Sequence, residues 1–160
     1  MDYFYVYQNK TYHEEFNGSF LWSPQYANGG RKNAGYEMMK EVRKGDIIFH
    51  SYQGEIVAIS IAQSSCYSSP RPSSAFSMWA HNGWKIDTKY LALPTSLKTE
   101  PFIPTLYGMQ PPKGPYTATF RGKQQYLCKA NKEMFDFLMK EILAVQLSTA
   151  VQNQIKNFVK

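Results

Sequence analysis

The stretch KGDIIFHSYQGEIVAISIAQS, residues 44–64, reads as two strands folded about one turn. Gln53-Gly54 stands between two runs rich in Ile, Val and Phe, and a glycine there supplies the positive φ that a tight hairpin needs. In the second run Ile56, Ala58 and Ser60 alternate with Val57, Ile59 and Ile61. Polar residues interrupt only part of it, so that strand is expected to be covered on both sides. His50, within the first run, reads as a core or rim residue rather than a base.

Outward from this hairpin the elements follow in order. DYFYVYQ, residues 2–8, is rich in strand formers, with Tyr3, Tyr5 and Tyr7 on one face and Phe4 and Val6 on the other. NAGYEMMKEVRKG, residues 33–45, predicts a helix capped by Asn33, with Met38, Met39 and Val42 on one face and Gly45 as its stop. Residues 66–83 read as a Ser/Pro-rich loop with Phe76, Met78 and Trp79 embedded in it, and residues 84–94 as a strand. Residues 98–123 form a Pro-rich connection whose length, in a small domain, marks functional or mobile chain. QQYLCKA is a last short strand. Residues 131–145 make a helix with Phe135, Leu138, Met139 and Ile142 on one stripe, and residues 148–160 another, capped by Ser148. No internal repeat is visible. The class is α+β, built on a strongly curved mixed sheet with a few helices. At 160 residues the expectation is one domain, 1–160, its last helix being a natural end or the lead into a linker.

Composition narrows the function. No run of about eighteen apolar residues is present, so no membrane span is expected. The start, MDYFYVYQNK, lacks the basic and apolar regions of a signal peptide, which points to the cytoplasm. Cys66 and Cys128 lie far apart and lack the close Cys or His partners of a zinc site; they are expected as buried free thiols, with no metal or cofactor. The net charge is +6, and from Lys85 to Lys132 the basic residues face only Asp87 and Glu100. With aromatics at 16%, this suits either a polyanion whose bases stack or an ordinary basic face over an aromatic core.

Catalytic motifs are missing. GPYTATFRGKQ has the wrong spacing for a phosphate loop, with Gln124 where the hydroxyl belongs. His13, His50 and His81 have no partner at i+3 or i+4, and Glu14-Glu15 reads as a pair of acids on a solvated surface turn. Any enzymatic activity is therefore expected in another domain or subunit. SFLWSPQYANGG, residues 19–30, places Trp22 before a run of turn formers. Trp22 either ends a strand pointing inward or waits at a loop edge for a ligand; taken alone, the stretch favours the inward reading.

FYVYQN with LWS thirteen residues on, then the 44–64 hairpin, then GWKIDTKYLALP, occur in an order that resembles the EVE and YTH families of the PUA-like superfamily over residues 3–143. The resemblance implies a PUA-like curved mixed β-barrel with flanking helices, holding a flipped-out methylated base in an aromatic cage. By position it puts Trp22 on the first cage wall with its face open, Ser23 beside it as a backbone acceptor, and Asn9 as an amide donor to a ring nitrogen. Trp79 is the first choice for the second wall, with Phe76 and Tyr67 as alternatives. Lys85, Lys89, Arg121 and Lys123 would bind phosphates. FYVYQNKTYHEE and GDIIFHS resemble the DNA-reading relatives, which implies methylated DNA as partner, N6-methyladenine favoured over methylated cytosine, alongside a nuclease or NTPase domain or subunit of a modification-dependent restriction system. Two other readings stay open: an RNA-binding domain of the same fold acting on modified RNA, and a protein-interaction module.

Overall fold

β1 (Tyr3–Tyr7) shows how the residue alternation is used. Phe4 and Val6 enter one apolar cluster with Leu21, Met38, Ile48 and Ile86. Tyr5 enters another, with Phe49, Ile59, Leu138 and Ile142, flanked by Tyr3 and Tyr7. Successive side chains of a strand point to opposite faces, so a strand apolar on both is covered on both. This computed structural model describes residues 1–73, 76–79 and 81–160.

β1 pairs in parallel with β3 (Ile47–Tyr52) and antiparallel with β7 (Leu127–Ala130). β3 and β4 (Glu55–Ala62) form the expected hairpin, with Gln53 at φ 51° and Gly54 at φ 78°. Positive φ at both central residues fits a primed turn, the kind that matches strand twist. The strand expected over 84–94 is longer: β6 runs Asn82–Lys98. Its first residues lie between β2 (Phe20–Pro24) and β5 (Tyr67–Pro70), and its later ones run beside β4. The sheet order is β2-β6-β4-β3-β1-β7, with β5 also on β6. Register shifts at His50/Ser51 and Ile56/Ala58 add the local bends that help such a sheet curl. The result is the curved mixed sheet, with helices beside it, that the sequence predicts.

The helices depart from expectation in three places. Residues Tyr12–Gly18 form α1, where the sequence suggests only a surface turn. Thr11 gives α1 no side-chain cap, so the local signal is weak, and Glu15 on it is fully buried rather than solvated. The 33–45 helix is short: α2 (Ala34–Glu37) passes into a 3₁₀ turn, Met38–Glu41, although Asn33 caps it and Met38, Met39 and Val42 are buried as expected. The 98–123 connection holds a 3₁₀ turn, Glu100–Phe102, and α3 (Ile103–Met109). Pro101 and Pro104 start these turns, where a missing N–H is harmless. α4 (Lys132–Ala144) is capped by Asn131 and α5 (Thr149–Phe158) by the expected Ser148, and they bury Leu138, Ile142 and Ile155 against the sheet. Phe135, expected on that stripe, is only half-buried, and Met134 fills the core beside it.

Both cysteines are free; Cys128 is buried, and burial pushes its thiol up to about 12, while Cys66 is only half-covered. Among the described residues no helix is long and apolar enough to cross a membrane.

Gln53 holds a left-handed backbone, which the shorter side chain of Asn, able to hydrogen-bond its own backbone, tolerates better. Gln53→Asn should therefore stabilise the hairpin by about 0.5–1 kcal/mol. Thermal melting checks this, with a rise of about 2–4 °C per kcal/mol for a chain of this size.

Candidate nucleic-acid interface

Of the residues that the sequence singles out, Asn9 follows β1, Trp22 lies on β2 and Trp79 packs against Trp22. β2 alternates, so Phe20 and Trp22 face one way while Leu21 faces the other cluster. The Trp22 indole lies over Gly83 of β6, where a Cβ would stand 2.2–2.4 Å from three of its ring atoms. Its Nε1 donates to the Ser69 carbonyl at 3.2 Å. Phe76 meets it edge-on, with ring centroids 5.4 Å apart, and Trp79 leans against it at 6.3 Å. Trp22 is left 2% exposed. The open indole face expected from the resemblance is thus covered in this conformation, and the inward reading of SFLWSPQYANGG describes the side chain.

Trp79 is half-buried and borders a cleft of about 300 Å³, which Asn9, Thr11, Lys123 and Tyr126 also line. Beyond Trp79 lie two further clefts of about 290 and 570 Å³, bordered by Tyr26 and Met78. Volumes from about 300 Å³ upward suit small ligands or a single base. Asn9 is exposed, and its Oδ1 accepts from the Gln53 N–H at 2.8 Å, which fixes the amide at the cleft edge.

The other sequence candidates are dispersed. Ser23 is buried, with its hydroxyl donating to the Pro24 carbonyl at 3.0 Å. Phe76 is buried in the Trp22 cluster. Tyr67 is 41% exposed, and its hydroxyl donates to Asp87 at 2.6 Å. Lys123 reaches the cleft, whereas Lys85 lies over the Phe20 ring and Lys89 near Phe158 of α5. Arg121 is exposed in the turn that precedes Gly122. Ser74, Ala75 and Ala80, in the loop expected to supply a cage wall, lie outside the described residues.

Behind the cleft sits a polar network that the sequence reading missed. Glu15 Oε1 accepts from the Trp22 backbone N–H at 2.8 Å and from the Tyr126 hydroxyl. Its Oε2 accepts from Gln8 Nε2 at 2.9 Å and from the Thr11 hydroxyl at 2.8 Å. Gln8 Oε1 then accepts from His50 Nδ1 at 2.7 Å, which leaves Nε2 to accept from the Ser60 hydroxyl at 2.6 Å. Burial pushes the Glu15 carboxyl up to about 7, against the pull of its four donors. Burial pushes the His50 imidazole down to about 3. The spacing of Thr11 and Glu15, one helical turn apart, is the one sequence signal for this network. Tyr126 arrives only through the β1–β7 pairing.

No family model matches the sequence, and no curated protein does. Solved structures do. The YTH domain of Zygosaccharomyces rouxii MRB1, in complex with N6-methyladenosine RNA, is similar at a TM-score of 0.59 and 10% identity, over 91% of this chain and 88% of that one. The N-terminal domain of Staphylothermus marinus McrB gives 0.52 and 11%, over 84% and 91%. Human THYN1 in complex with 5-methylcytosine-containing DNA gives 0.50 and 11%, over 92% and 100%. At such identities the likeness is one of fold alone, the curved mixed sheet with flanking helices that this chain shares with those three structures.

Two outcomes follow for stability. Truncating a fully buried indole leaves a cavity, so Trp22→Ala should cost about 3–5 kcal/mol, read by chemical denaturation. The two buried titrating groups oppose each other. The raised Glu15 favours the folded state when protonated, so its contribution falls as pH rises from 4.5 to 7. The depressed His50 favours the folded state when neutral, so its contribution is complete above pH 6.5 and falls as the solution is acidified. Glu15→Gln should therefore lose stability steeply below pH 6.5, and His50→Gln should gain it as pH falls from 7 to 4.5, in melts across that range.

Proposed function

We propose that this chain is a reader of modified nucleic acid, taking a flipped-out methylated base into the 300 Å³ cleft beside Trp79. The observation that carries this reading is the convergence of Asn9, Trp79 and Lys123 on one cleft. The fold supports it, since structures sharing that fold hold N6-methyladenosine RNA and 5-methylcytosine DNA. Trp79 gives the stacking face, and Trp22, covered behind it, backs that face. Asn9 offers an amide to the base edge. Lys10 and Lys123, both lining the cleft, take the flanking phosphates.

The energetics fit. Extruding a base costs a few kcal/mol. Stacking on an aromatic face returns about 1–3 kcal/mol, and a buried methyl adds about 0.8 kcal/mol. The favoured ligand is DNA carrying N6-methyladenine, ahead of methylated cytosine. The role is recognition for a modification-dependent restriction system, with cleavage in another domain or subunit; the fold shared with the N-terminal domain of McrB supports this. Modified RNA is the second reading, favoured by the shared fold of the YTH domain bound to N6-methyladenosine RNA.

Fluorescence anisotropy at fixed salt tests this with adenine-methylated, cytosine-methylated and plain DNA, and with methylated RNA. The methylated-adenine DNA should bind tightest; equal affinities for methylated and plain probes would overturn the reading. Trp79→Ala should lose roughly tenfold or more of the affinity for methylated DNA, the worth of one stack, with little change in melting temperature. Lys123→Ala should weaken all probes alike and reduce the salt slope by about one.

A further inference from the structure

Glu15 is fully buried, and among the described residues no cation pairs with it. What it holds is the cleft. Gln8, Thr11 and Tyr126 all line the 300 Å³ cleft, and all donate to its carboxyl. Its fourth donor is the Trp22 N–H, on the strand whose indole backs Trp79. One carboxyl therefore joins the β1–α1 turn, β2 and the chain entering β7.

We propose that Glu15 is the positioning residue of the cleft, and that one proton taken up there couples the arrangement of the cleft wall to the binding of an anionic nucleic acid. The binding half of this rests on the function proposed above.

The groups that face Glu15 are Tyr126, from the segment before β7, Tyr90, from β6, and His50 of β3 through Gln8. Burial and the neighbouring Glu15 carboxyl push both tyrosines well above their usual range. His50 stays neutral throughout the neutral range. Glu15 is thus the member of this network whose charge changes near neutrality. Ionised, it accepts four donors at once. Protonated, it must turn one of its oxygens into a donor, and the Thr11 or Tyr126 hydroxyl has to reverse its role. A phosphate backbone over the cleft disfavours the buried carboxylate, so binding draws a proton in, and affinity must rise as pH falls. A one-unit shift of Glu15 on binding corresponds to a tenfold change.

The first measurement uses the free protein. The Glu15 carboxyl carbon, the Trp22 amide and the Gln8 side-chain amide are followed by NMR from pH 5 to 9. One shared midpoint near 7 is expected. Tyr126→Phe removes a donor to the carboxylate and should move that midpoint upward; Glu15→Gln should abolish it. An ordinary carboxylate midpoint for Glu15, or Trp22 and Gln8 signals that do not follow it, overturns the positioning role. Should Glu15→Gln not fold, the Tyr126→Phe shift decides the same point.

The second measurement is anisotropy with methylated duplex at pH 6 and pH 8, at constant ionic strength. The wild type should bind 3- to 10-fold tighter at pH 6. In Glu15→Gln the ratio should shrink; an unchanged ratio overturns the coupling. Absence of DNA binding at either pH overturns the proposed function and the coupling together, while the NMR midpoint still decides the positioning role.

Discussion

A strand that is apolar on both faces and paired along both edges leaves the chain little freedom around it. β1 separates the Phe4 and Val6 cluster from the Tyr5 cluster, and takes β3 on one edge and β7 on the other. The two ends of the chain are thereby brought together, because β7 carries α4 and α5 onto the same core. The turn that leaves β1 must then enter a crowded place. Gln8 follows the last strand residue into the interior, and Asn9 is pinned to the Gln53 turn. Residues Gln8 to Thr11 cannot spread into solvent as a free loop, so they form one wall of the cleft.

The opposite wall is governed by sterics rather than by pairing. Gly83 has no side chain, and that absence is what lets the Trp22 indole lie flat over β6. Phe76 then closes the indole edge-on, and Trp79 is the ring of this cluster that reaches the clefts. The same small cluster of rings is both a packing device and the support for an accessible tryptophan. A buried aromatic behind a half-buried one keeps the outer ring in place, which reduces the ordering cost of stacking a ligand on it.

Charge is distributed unevenly between surface and interior. Ion pairs such as Lys40–Glu37 and Lys132–Asp136 are exposed at the surface, where they contribute little to stability. Inside, among the described residues, Glu15 pairs with no cation, and it and the neutral His50 depend on hydrogen bonds with neutral groups. Buried polar groups of this kind are costly unless satisfied, and here each has partners. The network's position behind the cleft is what gives it a bearing on function.

The sequence by itself determined the strand alternation of β1, the hairpin about Gln53-Gly54, the Asn33 and Ser148 caps and the apolar stripe of α4, because each depends on neighbours within a few residues. Through their order it also pointed to the fold class. It did not show α1, whose Glu15 is buried by contacts from Trp22 and Tyr126, distant along the chain. The local stretch favoured a covered Trp22 and the resemblance an open one; what covers it, the space over Gly83 and the approach of Phe76, arises only when β2, β6 and the loop after β5 meet. Of the candidate site, Asn9, Trp79 and Lys123 were legible one by one as residue types. Their meeting at one cleft was not, nor was the part played by Gln8, Thr11 and Tyr126. Local propensity and periodicity are written in short-range spacing. Burial, desolvation and the convergence of side chains are set by long-range pairing, and only the folded sheet decides those.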